Sequence, residues 1–208
     1  MKVQTSILWG VVVTIVGFFA CTRTVPQPKK PQAALRDFVE QFKPVVVVKM
    51  HLFPAIDIAA DTSYPYRGEP ITQEQLTLLD DTLRHYFDSG GLWACYQVQD
   101  GLIILRTEGQ DRHSKLIVAR ANQDTGKIEH VADVAWYECD EQGCDHQEAW
   151  LADLDLDNHL ELILRHVQTD KKGQVIADEY AVLTQKGDAH FQPGLEHLLV
   201  KDNYKLSM

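Results

Sequence analysis

From Leu92 to Thr184 apolar and polar residues alternate with a period of two, and turn signals cut the alternation into short lengths. Period two belongs to a strand whose successive side chains point to opposite faces. Candidate strands cover 92–98, 102–107, 115–121, 128–138, 147–153, 160–167 and 175–184. Gln99-Asp100-Gly101, Gly109-Gln110-Asp111, Asn122 to Gly126, Glu141-Gln142-Gly143 and Lys171-Lys172-Gly173 separate them. Connections this short join antiparallel neighbours, so the segment reads as a β-meander. Two apolar stripes with helical spacing precede it. Leu35, Phe38, Val39 and Phe42 mark a helix over 32–43, stopped by Pro44. Leu76, Leu79, Leu83 and Phe87 mark another over 72–88, opened by a Thr72/Gln75 capping box and ended by Gly90-Gly91. The β-branched run Val45 to Val48 reads as a buried strand, 51–70 as a long loop and 194–200 as a short terminal helix. The expected fold is α+β: two N-terminal helices followed by an antiparallel β-meander of about six to eight strands. No internal repeat is visible, which excludes a propeller.

The first residues read as an address. Lys2 precedes fourteen uncharged residues, Ile7 to Ala20, too short a run for a membrane span and right for a signal-peptide core. The run ends in Phe18-Phe19-Ala20-Cys21. This resembles the lipobox of bacterial lipoproteins, with Ala20 and Cys21 in the matching places and Phe18 and Phe19 departing from the usual residues. The resemblance implies that Cys21 is diacylated and becomes the mature N-terminus; the alternative is an uncleaved N-terminal anchor. Thr22 after the cysteine favours the outer membrane by the sorting rule of enterobacteria. Residues 22–33 hold three prolines and no apolar period, as in an extended spacer. The domain plan is a signal peptide over 1–20, a lipid-anchored Pro-rich spacer over 21–33 and one α+β domain over 34–208.

The most informative local stretch is Asp153-Leu-Asp155-Leu-Asp157-Asn158-His159-Leu160-Glu161, with carboxylates at relative positions 1, 3, 5 and 9. A hard cation such as calcium takes six to eight oxygens from a tightly curved loop. Asn158 suits a left-handed bend next best after glycine. The stretch is similar to the acidic loop of FG-GAP and integrin-like calcium repeats. That resemblance implies Asp153, Asp155, Asp157 and Glu161 as side-chain ligands, His159 as a backbone-oxygen ligand and Ca2+ as the ion. Asn158 in place of glycine and Leu156 at the fourth position depart from the pattern. The competing reading is a half-buried strand with Leu154 and Leu156 facing the core and the acids solvated.

Three cysteines remain beyond Cys21. Cys139 and Cys144 flank a turn, and if the flanking strands pair as a hairpin their sulfurs meet in a disulfide, which an exported protein permits. Cys95 reads as a buried thiol. A soft-metal site from Cys139, Cys144 and His146, with His130, is the alternative.

Thirty acids against twenty Lys and Arg give a net charge of −10, which repels phosphate backbones and makes nucleic acid a poor partner. None of the five serines stands in G-x-S-x-G, and no P-loop or G-x-G-x-x-G appears. Tyr64-Pro65-Tyr66-Arg67 could stack on a sugar or simply pack. These features point to an exported envelope lipoprotein, a non-enzymatic binding or structural module whose partners are the membrane, through its lipid anchor, and an envelope protein or polysaccharide. An inhibitor or immunity protein against a basic envelope hydrolase, and a calcium-dependent polysaccharide-processing enzyme, are the alternatives.

Overall fold

The computed structural model describes residues 31–108, 113–186 and 190–207. The expected signal peptide, Cys21 and the expected spacer up to residue 30 lie outside the described residues, among which no helix is long and apolar enough to cross a membrane. Eleven strands form one sheet: β1 (Lys43–Pro44), β2 (Lys49–Leu52), β3 (Glu69–Pro70), β4 (Leu92–Gln97), β5 (Leu102–Glu108), β6 (Ser114–Asn122), β7 (Lys127–Cys139), β8 (Gly143–Ala152), β9 (Glu161–Asp170), β10 (Val175–Lys186) and β11 (His190–Pro193). Strands β4 to β11 are sequential antiparallel neighbours, β1 adds in parallel to β4, β3 pairs β4 and β2 pairs β8.

The thirteen-residue β7 joins two halves of this sheet. Its first part pairs β6 through Ala135, with register shifts at Leu116/Ile117 and Val118/Ala119, and its last part, from Trp136, pairs β8. Such bulges bend and twist a strand. Beyond β7, the rest of that side of β8 is taken by β2, with His51 opposite Trp150.

Alternation along the strands sorts side chains into three cores. Leu102, Ile104, Leu116, Val118, Ala149, Leu151 and Leu162 meet in the first, between the two halves. Their neighbours Ile103, Leu105, Ile117 and Ala119 meet Leu35, Phe38, Leu79 and Leu83 of the helical segments in the second. Trp150, Ala152, Ile163 and Val182 meet Tyr204 and Leu199 of the C-terminal segment in the third. Strand β5 is therefore buried on both faces from Leu102 to Thr107.

The expected α+β class is overturned. The protein is mostly β: the short strands β1 to β3 join the eight of the meander in one eleven-stranded sheet, and helix is confined among the described residues to short pieces. The helix expected over 32–43 runs only from Pro31 to Val39 (α1), because 3₁₀-type bonds from Gln41 and Phe42 close it before β1. The helix expected over 72–88 does not form as one element. A 3₁₀ turn over Gln73–Leu78 is followed by α2 (Asp81–Gly90). The break is tertiary in origin. Leu79 bridges Ile128 of β7, the Asp80 N–H donates to the Ile128 carbonyl, and the Asp80 carboxylate caps α2 at Leu83 N–H while accepting from His130 N–H. The run Val45 to Val48 is not a buried strand either: only Val47 is buried, and Val46 and Val48 face solvent. Tyr64 and Tyr66 are core residues, not a ligand face.

Cys139 and Cys144 are register partners at disulfide distance across the β7–β8 hairpin, and Cys95 is buried and unpaired. Gly143 beside them approaches β9 so closely that a Cβ would stand 1.8 Å from the Thr169 carbonyl oxygen. With the sulfurs joined to each other, His130 bound to Asp133 and His146 to Glu148, the soft-metal alternative is not formed.

Burial on both faces makes a direct prediction. Ile103→Ala and Ile104→Ala, which open cavities in different cores, should each cost about 2–5 kcal/mol in denaturant unfolding. A strand covered on one side only would show a large loss for just one of the two.

Candidate metal centre

Ala152 ends β8 opposite Glu161, the first residue of β9, so residues 153–160 leave and return at one point of the sheet. At that neck the carboxylates of Asp153, Asp155 and Glu161 converge, with ligand atoms all within 4.8 Å of one another. This is a group that could hold a metal ion. Glu161 is buried at 2% exposure and spans the neck by accepting from Leu154 N–H at 2.7 Å. Asp153 accepts from the N–H groups of Asp157 and Asn158, and Asp155 accepts from Asp157 N–H. These bonds curl the loop around its own acids. Two residues take the left-handed conformation, Asn158 at φ 69° and Leu156 at φ 63°. Asparagine tolerates that region; for leucine it costs roughly 1–2 kcal/mol.

The half-buried-strand reading fails here, since 153–160 are not strand and Leu156 is 83% exposed. Of the expected ligands, Asp157 stands outside the triad and turns its carboxylate to His159 N–H at 2.8 Å. His159 lies on the exposed rim of the loop.

Electrostatics separate the triad from an ordinary solvated acidic turn. Burial pushes the Glu161 carboxyl up; the Leu154 N–H opposes this, and the negative charges of Asp155, Asp157 and Asp153 add to the upward shift. A cation between these groups would remove the repulsion. The donors brought together are all carboxylate oxygens, the hard set that suits calcium or magnesium better than zinc.

A second polar centre lies on the same strand pair. Glu148 of β8 is fully buried, and its carboxylate takes His51 Nε2 at 2.5 Å, His146 Nε2 at 3.1 Å, and both Ser207 N–H and Ser207 Oγ. Burial pushes this carboxyl up, but the bonds from His146, His51 and Ser207 outweigh it and hold the group at about 2. His51 in turn stacks on Trp150 with ring centroids 4.5 Å apart. The donors come from three distant parts of the chain, so no local motif announces the site. It acts as a latch for the C-terminal segment, which is also held where Arg165 donates to the Tyr204 carbonyl and Lys49 to the Asn203 carbonyl.

A cleft of about 510 Å3 between α2 and the β6–β7 surface is walled by Tyr86 and Trp136. Lys115 stands 5.8 and 5.7 Å from their ring centroids and 3.4 Å from Asp133, which also accepts from Tyr86.

Comparison with protein-family models, curated proteins and solved structures finds no match for the chain.

The latch predicts a pH dependence with a definite sign. Glu148 is held below its ordinary value only in the folded protein, so the unfolded chain takes up its proton first as pH falls. Its contribution is therefore present above about pH 5 and lost between about pH 5 and 2, on the order of 3 kcal/mol in all. Glu148→Gln should be less stable than wild type at neutral pH and should lose less stability across that interval, as read by denaturant melts at stepped pH.

Proposed function

We propose that the protein is an exported, lipid-anchored envelope protein whose β-domain binds calcium in the 153–161 loop and works by binding rather than by catalysis. The observation that carries the calcium reading is the convergence of Asp153, Asp155 and Glu161 at a neck between two core strands. Asp157 and the His159 carbonyl bring the ligand groups of the loop to five, and bidentate carboxylates or water make up the six to eight oxygens that calcium takes. Seated there, the ion ties β8 to β9, two strands that line both the first and third cores.

Export is supported from two directions. The apolar run before Ala20-Cys21 has the form of a lipoprotein leader, and the Cys139/Cys144 pair suits an oxidising compartment. The envelope partner that fits the cleft beside α2 is a polysaccharide. Aromatic walls stack on sugar rings, and a lysine already paired with Asp133 offers donors without a strong net field.

Calcium binding to the folded state alone adds about 2.7 kcal/mol when the free ion is ~100-fold above Kd. For a domain of this size that is a melting shift of roughly 5–10 °C. Chelator should lower the melting temperature by that amount, and magnesium should restore it poorly. Asp155→Ala should abolish the calcium response, and its calcium-free form should be no less stable than calcium-free wild type, because a repelling charge has gone. Calcium affinity by calorimetry should also fall as pH drops through the raised Glu161 titration, since binding must displace its proton. No heat of binding at millimolar calcium would refute the reading.

The anchor has its own test. Radiolabelled palmitate should enter the wild-type chain and not Cys21→Ala; equal labelling of both would refute lipidation at Cys21.

A further inference from the structure

Between α1 and β2 the chain carries an apolar tip that the domain leaves uncovered. Val46 and Val48 are 92% and 88% exposed, the most exposed large apolar residues among those described. They do not sit on a loose loop. Val47 between them is buried in the first core, and the Gln99 side chain pairs both of its backbone groups. Gln99 Oε1 accepts from Val47 N–H at 3.1 Å and Nε2 donates to the Val47 carbonyl at 3.1 Å. Val45 N–H donates to the Gln97 carbonyl at 2.8 Å. The clamp turns Val47 inward and leaves its two neighbours projecting to solvent.

The charge around this tip runs against that of the whole. Exposed Lys43 and Lys49 flank it, and residues 41–56 contain no acid although the chain carries −10. Residues 21–56 together hold six cations and two acids.

We propose that Val46 and Val48 dip into the surface of an anionic phospholipid bilayer, with Lys43 and Lys49 at the level of the headgroups. The inference rests on the anchor at Cys21. Half-buried Tyr96 lines one cleft with the two valines and Lys43, and a tyrosine beside apolar tips and lysines suits the boundary between headgroups and acyl chains. A bilayer needs no matching groove, and each lysine near an anionic surface strengthens attachment about fivefold. The pair would hold a membrane only weakly in free solution. The ten residues from Cys21 to Pro31 can reach at most about 35 Å, and tethering at that length raises the local concentration of the tip to roughly the millimolar range. The contact then fixes the orientation of the domain on the membrane.

The test uses the full chain, reconstituted in vesicles of phosphatidylethanolamine and phosphatidylglycerol. Val46→Cys carries an environment-sensitive fluorophore, and lipids with a nitroxide on the acyl chain act as quencher. Val175→Cys, on β10 and 61% exposed in the native residue, is the water-facing comparison. The Val46 probe should be quenched at least about twofold more than the Val175 probe, and the difference should shrink in vesicles of phosphatidylcholine alone. A chain that floats with the vesicles while its Val46 probe stays as water-exposed as the Val175 probe overturns the inference and leaves the anchor standing. Equal quenching in both lipid mixtures overturns the assignment to an anionic surface. A chain that does not float with the vesicles overturns the anchor and the inference together.

Discussion

A strand that is apolar on both faces must be covered twice. Leu102 to Leu105 form such a strand, and so does the Ala149 to Ala152 end of β8. Odd and even residues of each run enter different cores, so neither can sit in a sheet with a wet side. The architecture follows from that demand. The sheet bends at β7 so that its halves cover each other; α1, the 3₁₀ turn and α2 cover the outside of one half. The segment from Leu195 to Ser207 covers the outside of the other. Latching of that last segment by Glu148 is thus part of the covering, since Tyr204 packs against Trp150 from the same stretch of chain.

Two glutamates on adjacent strands show how surroundings decide what a buried carboxylate wants. Glu148 is given donors by two histidines and a serine, so its charge is satisfied within the protein. Glu161 is given one backbone N–H and three acidic neighbours, so its charge is opposed. The first arrangement is complete. The second gains most from a cation, and it stands where a cation would also stabilise the hairpin.

The legible parts of this protein were local. Period-two alternation placed the long strands of the meander, and the acidic spacing marked a real loop in which three of the expected ligands, Asp153, Asp155 and Glu161, converge. Asn158 takes the left-handed bend expected of it, whereas Leu156 doing the same was hidden, because nothing in a leucine announces that conformation. The α+β reading failed because a periodic apolar stripe reports burial on one side, not continuity of helix. Leu79 and Leu83 are buried as the stripe requires, yet Asp80 between them gives its N–H to Ile128 of β7, a partner too distant in sequence for periodicity to show. Val45 to Val48 misled in the opposite direction, since β-branching speaks for extended backbone and not for burial. The Glu148 centre was beyond reach for the same reason as the break at Leu79: His51, His146 and Ser207 become neighbours only when the sheet closes.

The pairing of β2 with β8 sets an order in time. Leu52 finds Ala149 only after about a hundred intervening residues have been made, and contacts so distant in sequence close slowly. Until then β8 has an unpaired edge of apolar strand beyond the end of β7, open to any other chain that offers one. A chain made from its N-terminus presents β2 early and its partner late. Assembly of this domain is therefore a matter of keeping β2 and β8 apart from strangers until both have been made.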